Sequence, residues 1–514
     1  MKLPSKGSNN LNGETNKLQL IRLGIDTQHE FIIYMHADCF VCKSEGFEAQ
    51  TQVVVVFNNF SIIATLNIIQ SDILKKHEAS LSESAWNRLG AKVGDYISVS
   101  HLKPVTSLKY VRSKIHGNEI SAEAFQEIIT DIVAGKYSNI HLASFITACA
   151  RDNLSVKEII DLTQAMIQTG ERLIWDYPIV MDKHSVGGIP GNRTTPIVVA
   201  IVAAAGLIIP KTSSRAITSP SGTADTLETM TTVDLSIAKM REVVNKEGGC
   251  FAWGGAIRLS PADDVIISIE RPLDLDPVGQ MIASVLSKKV AAGATHVLID
   301  VPVGPTAKIR SEQNFLQLQE YFIIVGKAVG LNTRVLKTNG VQPLGFGIGP
   351  ALEAKDILSI LRNEKNAPTD LKDKAIDIAG CLLEFGGKVA SGQGRELANT
   401  ILTNGAALKK FLAICEAQGG FREPNTAAYT YDIVAAHNGI VTEIDNRNLA
   451  MVAKLAGAPH DPAAGIEFFT KQGMRVEIGQ LLYRIHAEAK GELAYSLAYA
   501  KSMPNIIQIN REIA

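Results

Sequence analysis

Six cysteines in 514 residues are too few for a disulfide scaffold, which excludes the cross-linked secreted class. Cys39 and Cys42 form one C-x-x-C near His36, but no second pair or clear fourth ligand stands at zinc-site spacing. The pair reads as buried reduced thiols or an incidental exposed pair, and no metal site is expected. Neither sign of charge is in excess: 51 basic residues face 52 acidic ones, a net charge of −1. That balance removes the electrostatic case for nucleic acid, which leaves a basic footprint, but allows a local positive pocket. No apolar run reaches the roughly 20 residues of a membrane span; the longest lies near residue 200. Residues 1–17 are polar and lack the apolar core of a secretory signal. A cytoplasmic protein with no membrane partner is expected. Internal repeats and low-complexity tracts are not apparent.

What is present fits a compact multidomain chain. Hydrophobic residues make up 46% and mean hydropathy is +0.10, and the length implies two to four domains. Residues 1–104 carry β-branched runs between polar turns, such as Gln52-Val-Val-Val-Val-Phe57, and predict a β-rich, barrel-like domain. Residues 105–175 switch to helical period. Phe125, Ile128, Ile129, Ile132 and Val133 form one stripe, and Ser155-Val-Lys-Glu158 is a capping box. Part of the helical lobe is free to return later in the chain. Residues 176–424 alternate strands and helices, an α/β pattern whose ligands sit outside the carboxyl ends of strands. A strand is predicted over 175–181. Residues 425–514 predict an α+β domain of short strands joined by glycine turns.

The most informative stretch is Lys183-His-Ser-Val-Gly-Gly-Ile-Pro-Gly-Asn-Arg-Thr-Thr195. A glycine-rich loop with a lysine and hydroxyls lets N–H groups and a cation converge on an oxyanion. An apolar run over 197–209, read as one buried element, separates it from a second hydroxyl-rich loop, Ser213-Ser-Arg-Ala-Ile-Thr-Ser-Pro-Ser-Gly-Thr223. The two loops read as two walls of one anion site, with Arg215 suited to phosphate or carboxylate.

Taken with Gly222-Thr-Ala-Asp225, Trp253-Gly-Gly255, Pro261-Ala-Asp263 and Ala283-Ser-Val-Leu-Ser-Lys-Lys289, these blocks resemble the thymidine phosphorylase family. The likeness is strongest to its long branch, the AMP phosphorylase type, and covers roughly residues 105–500. The resemblance implies a multidomain α/β fold: a helical domain plus an α/β glycosyltransferase domain of the nucleoside phosphorylase and phosphoribosyltransferase type, then a hammerhead-like C-terminal domain. It implies a pentosyltransferase that cleaves an N-glycosidic bond with inorganic phosphate as co-substrate, and no cofactor. The substrate would be thymidine, another pyrimidine nucleoside, or a nucleoside 5′-monophosphate. A homodimer or higher homo-oligomer is implied as well.

By the same resemblance Lys183, Ser185, Thr195, Ser213 and Thr223 match the phosphate cradle. Gly188, Ser214, Arg215, Ala216, Ile217, Thr218, Ser219, Thr223, Ser284 and Lys308 match nucleotide contacts, and Lys288 shares a helix face with Ser284. Asp276 matches the proton donor, although on sequence alone it reads equally as a helix cap before Pro277. His184 suits an acid, a base or a structural role. Lys289 is expected to face solvent. Two departures stand out. Ile269 occupies the place of an arginine that reads a pyrimidine carbonyl in the short enzymes, and isoleucine cannot donate. Hydroxyls over 214–219 partly replace glycines and a histidine, and suit a 5′-phosphate. Two other readings stay open: a phosphoribosyltransferase with Mg²⁺ on Asp225 and Glu228, and a nucleotide sensor without turnover.

Overall fold

The computed structural model describes residues 17–511, apart from 28, 29, 151, 152, 217, 218, 258, 274 and 276. It divides into two compact units, residues 1–148 and 149–514. In the first, β1 (Lys17–Leu20), β2 (Ile32–His36), β3 (Gln52–Phe57), β4 (Phe60–Ile69), β5 (Glu78–Leu81) and β6 (Tyr96–His101) close a barrel in the order β1-β5-β2-β4-β3-β6. Val53 and Val55 of β3 point inward while Val54 and Val56 are partly exposed, the period-2 pattern of a one-face strand. Two short helices, α1 (Phe40–Glu45) and α2 (Glu83–Leu89), join the strands. Cys39 caps α1 and Cys42 lies within it; both are buried free thiols. Helices α3 (Leu108–Ile115), α4 (Ala122–Val133) and α5 (Asn139–Ala148) complete the unit. Ser121 caps α4, and its predicted stripe is buried from Phe125 to Ile132.

The second unit opens with α6 (Val156–Thr169), whose Ser155/Glu158 capping box forms as predicted. Strands β7 (Met181–Ser185), β8 (Ile209–Ser213), β9 (Gly249–Trp253), β10 (His296–Val303) and β11 (Asn332–Asn339) make two parallel sheets, β11-β10-β7 and β8-β9, linked by a bridge from Val180 to Ile208. Between them run α7 (Thr195–Ala204), α8 (Thr223–Glu228), α9 (Ile237–Glu247), α10 (Pro261–Leu273), α11 (Val278–Ala291) and α12 (Glu312–Ala328). Next come β12 (Gly347–Ile348), α13 (Pro350–Leu361), α14 (Thr369–Phe385), α15 (Gly394–Thr403) and α16 (Ala406–Gln418). The chain ends in β13 (Tyr429–Val434), β14 (Gly439–Ile444), α17 (Asn446–Leu455), β15 (Gly465–Phe468), β16 (Arg475–Val476), β17 (Leu481–Ala487), α18 (Lys490–Ser502) and β18 (Ile507–Asn510). These strands form sheets β12-β15-β17-β13 and β16-β14-β18.

Two local expectations need correction. The apolar run over 197–209 is a helix and then a strand: α7 ends, Gly206 turns the chain at φ 78, and β8 begins at Ile209. Glycine takes that left-handed position without a Cβ penalty. α7 is apolar all round and buried throughout residues 195–203, as a core helix must be. Each of its Val and Ile side chains contributes about 1.5–3 kcal/mol relative to exposure. The second correction concerns β7, which lies at Met181–Ser185 rather than over 175–181. Its polar residues are held in the ladder by β10, with Lys183 opposite Leu298 and Ser185 opposite Asp300.

Candidate active site

Alternation along β7 sends Lys183 and Ser185 to one face and Asp182 and His184 to the other. On the first face Lys183 is buried and its Nζ donates to Thr194 Oγ1 at 2.8 Å and Thr195 Oγ1 at 3.2 Å. Burial pushes its ammonium down to about 8; Asp300 opposes that, while Lys374 and Arg193 add to it. Ser185 Oγ donates to Asp300 Oδ2 at 2.9 Å and accepts from Asn192 Nδ2 at 3.1 Å. Asp300 also accepts from Thr338 Oγ1 at 2.6 Å and pairs with Lys374 at 3.2 Å. Arg193 pairs with the buried Glu353 at 2.7 Å and donates to Thr223 Oγ1 at 3.0 Å. It thereby ties the first loop to the start of α8.

The second loop is built around Asp225. Its carboxylate accepts from the N–H groups of Ala216 at 2.7 Å and Gly222 at 2.9 Å, and pairs with Arg215 at 3.2 Å. Arg215 also binds Glu228 and lies 4.7 Å from the Trp253 ring centre. A side chain at Gly222 would meet Ala216 N at 2.5 Å, so the loop closes only over glycine. Gly188, at φ +90, is similarly confined: a Cβ there would lie 2.7 Å from Lys308 N. At the end of β8, Ser213 Oγ is buried and has no hydrogen-bond partner among the described residues.

On the other face of β7, Asp182 is buried between Lys211 at 3.1 Å and Lys289 at 2.8 Å. Lys289 is therefore a core residue, contrary to the expectation of a solvent-facing side chain. α11 is buried on most of its surface, so adjacent lysines reach different carboxylates: Lys289 takes Asp182, and Lys288 takes Asp263 at 2.7 Å. His184 keeps some solvent contact but is surrounded by protein. Burial, and then Lys289, Lys211, Lys288 and Lys183, hold its imidazole well below the ordinary range. It is neutral near pH 7 and poorly suited to donate a proton as imidazolium. Nearby, burial and Asp263 push Glu270 up to about 7, with Lys308 and Lys288 opposing. Lys308 is exposed yet crowded by protein, which lowers it to about 8 against the pull of Glu270.

Across the two faces of β7, five cations (Lys183, Arg193, Lys211, Lys289 and Lys374) meet three carboxylates, Asp182, Asp300 and Glu353. On the Lys183 face three cations, Lys183, Arg193 and Lys374, stand against two carboxylates, Asp300 and Glu353, leaving one positive charge. On the opposite face burial lowers Lys289 to about 7, so the group with Lys211 and Asp182 is closer to balance. Buried charge and buried donors are costly unless matched, and an anion with acceptor oxygens matches both.

Comparison with known proteins agrees with this chemistry. Residues 177–408 match the family model of the glycosyl transferase family a/b domain, and 108–170 that of its helical bundle domain. Residues 440–506 match the pyrimidine nucleoside phosphorylase C-terminal domain. A protein of Polaromonas sp. (strain JS666 / ATCC BAA-500) named "Putative thymidine phosphorylase" is 53% identical over 96% of this chain and 97% of its own length. One of the same name from Legionella pneumophila (strain Corby) is 54% identical over 95% of each. The chain belongs to the thymidine phosphorylase family. It is a pentosyltransferase of that family. Among solved structures, anthranilate phosphoribosyltransferase from Saccharomyces cerevisiae in complex with PRPP and Mg aligns with TM-score 0.50 and 16% identity. The alignment covers 62% of this chain and 99% of that one; what is shared is the fold.

Against this family background, the structure holds Lys183 on Thr195, Ser185 on Asp300 and Thr223 on Arg193, in three separate hydrogen-bonded sets. Ser213 stands at the end of the strand entering the second loop. Ser214, Arg215, Ala216 and Ser219 follow within that loop, where Ser219 Oγ donates to Ser221 O at 2.9 Å. Gly188 lies against Lys308, and Ser284 and Lys288 share α11. Asp276, Ile217 and Thr218 lie outside the described residues. Asp225 and Glu228, the candidate Mg²⁺ ligands, are both engaged by Arg215. Asp300, Lys374, Glu353 and Lys211 were not foreseen. Asp300 did leave a trace, a lone acid inside the apolar run Val297-Leu-Ile-Asp-Val301.

Proposed function

We propose that this chain catalyses phosphate-dependent cleavage of the N-glycosidic bond of a pyrimidine nucleoside such as thymidine, or of a nucleoside 5′-monophosphate. The observation that carries the reading is the surplus positive charge on the Lys183 face of β7, where Lys374 Nζ lacks a hydrogen bond, together with the buried, unpartnered Ser213 hydroxyl at the end of β8. Inorganic phosphate suits that charge. Lys183, Ser185, Thr195, Ser213 and Thr223 hold it below the sugar, and a phosphate oxygen attacks C1′. The C1′–N bond breaks with its electron pair leaving on the base, through a transition state of oxocarbenium character. Holding both reactants in line supplies much of the rate. Asp276 protonates the leaving base, and the neutral imidazole of His184 donates a hydrogen bond to it. The products are free base and pentose 1-phosphate, or ribose 1,5-bisphosphate from a monophosphate.

The 5′-monophosphate reading draws support from Ile269, which is apolar where the short enzymes read a pyrimidine carbonyl, and from the hydroxyls over 214–219. Base release from thymidine, uridine, AMP, CMP and UMP, each with and without phosphate, tests both readings. Release from nucleosides alone makes this a nucleoside phosphorylase; release mainly from monophosphates assigns the hydroxyl loop to the 5′-phosphate. No phosphate-dependent release from any of them overturns the proposal. Asp276→Asn is expected to lower kcat far more than it weakens phosphate binding, and unchanged activity would remove Asp276 from the reaction.

A further inference from the structure

Lys374 of α14 belongs to none of the motifs that mark the phosphate loops, yet its ammonium reaches them. It is nine-tenths buried. Its Nζ makes no hydrogen bond of good geometry among the described residues, and its carboxylate partner is Asp300 Oδ2 at 3.2 Å. That same oxygen accepts the Ser185 hydroxyl at 2.9 Å. Lys374 Nζ and Ser185 Oγ therefore lie within two hydrogen-bond lengths of each other. Asp300 is fully buried and already satisfied by Ser185, Thr338 and, more weakly at 3.4 Å, Asn192. A carboxylate so occupied cannot neutralise both Lys374 and Lys183. Burial accordingly holds Lys374 below the ordinary lysine range despite Asp300. An ammonium carries three donors, and an orphaned buried donor is costly unless a ligand takes it.

We propose that Lys374 is a second phosphate-holding cation, which donates to the oxyanion seated on Ser185 and Lys183 while Asp300 keeps it aimed there. The inference rests on the phosphate reading above and extends it to a residue nearly two hundred positions away in the chain. Lys374 acts on the phosphate and not on the nucleoside, so the two substrates should respond differently to its loss.

The test is direct titration of inorganic phosphate into the full chain by calorimetry, with steady-state kinetics for both substrates. Lys374→Met is expected to weaken phosphate binding at least tenfold, raise the phosphate KM equally, and leave the nucleoside or nucleotide KM unchanged. Removing Lys374 alone leaves Asp300 buried and less compensated, which can unfold the site. The double variant Asp300→Asn/Lys374→Met removes both charges and controls for this. If Lys374 holds phosphate, the double variant stays at least tenfold weak. Wild-type phosphate affinity in the folded double variant would show that Lys374 merely neutralises Asp300, and would overturn the proposal. Unchanged affinity in the folded single variant would overturn it too, and would leave the phosphate reading standing. Failure of the wild-type chain to bind phosphate would overturn both.

Discussion

The barrel of the first unit and the sheet around β7 both enclose buried side chains, but they bury different things. Among its described residues the barrel buries His36, Ser80 and Ser82, and no Lys, Arg, Asp or Glu. The sheet unit buries Asp182, Lys183, Lys211, Lys289, Asp300 and Glu353 within a few strands and helices. Stability does not require this. Buried ion pairs are often no better than apolar packing of the same volume, and the barrel is built without them. Charge kept in a core against that cost marks where a ligand is to be met. The difference separates a region selected for packing from one selected for chemistry.

The sharpest way to break this contrast is to make the sheet resemble the barrel. Lys183→Met is expected to lower kcat/KM for phosphate-dependent base release by about 10²–10³, the range for losing a key oxyanion donor, while thermal unfolding shows the chain still folded. Activity within a few-fold of wild type would mean the buried lysine is structural. The reciprocal change is Leu66→Ala in the barrel, where Leu66 is fully buried. It should cost about 2–5 kcal/mol of stability, read by denaturant unfolding, with kcat per folded molecule unchanged.

A third prediction concerns pH. The Lys183 ammonium, lowered to about 8, loses its proton in the free protein as pH rises through that value. The phosphate dianion needs the charged form, so phosphate KM should climb above pH 8 by up to about tenfold per unit. The sign for stability follows from the same shift. The folded chain binds this proton less tightly than the unfolded chain, so the destabilisation is fully present below pH 8 and fades between there and the ordinary lysine pKa. Bound phosphate should lift the pKa and lessen that dependence, which melting curves with and without phosphate across this range would reveal. The smallest effect lies in the barrel. Asn58, at φ 51 in the two-residue turn between β3 and β4, should accept glycine with a gain of up to about 1 kcal/mol. Loss of stability in Asn58→Gly would show that the asparagine side chain holds the turn.

Legibility in the sequence follows the range of the interactions. β3, β14 and the capping box of α6 were readable because alternation and caps are local. The glycine-rich loops were readable because close backbone approach needs glycine, as at Gly188 and Gly222. The boundaries around β7 and β8 were not, because polar residues in a strand look like a loop until their partners are known. Those partners are remote: Ser185 meets Asp300, and Arg193 meets Glu353. Lys289 was misread for the same reason, since nothing near it in the chain announces Asp182. Residues matched by resemblance supplied the hydroxyls and the lysine of the cradle but not the carboxylates that hold them.

The five residues of β7 carry two chemistries back to back, and this sets the kind of change the segment can survive. A substitution alters one side and spares the other. Losing or gaining one residue would exchange them, turning Lys183 and Ser185 toward Lys211 and Lys289 while Asp182 and His184 faced Asp300 and Lys374. The segment should therefore tolerate replacement at single positions far better than any change in length. Redesign of this enzyme should treat the spacing between Met181 and Ser185 as the invariant and alter one face of the strand at a time.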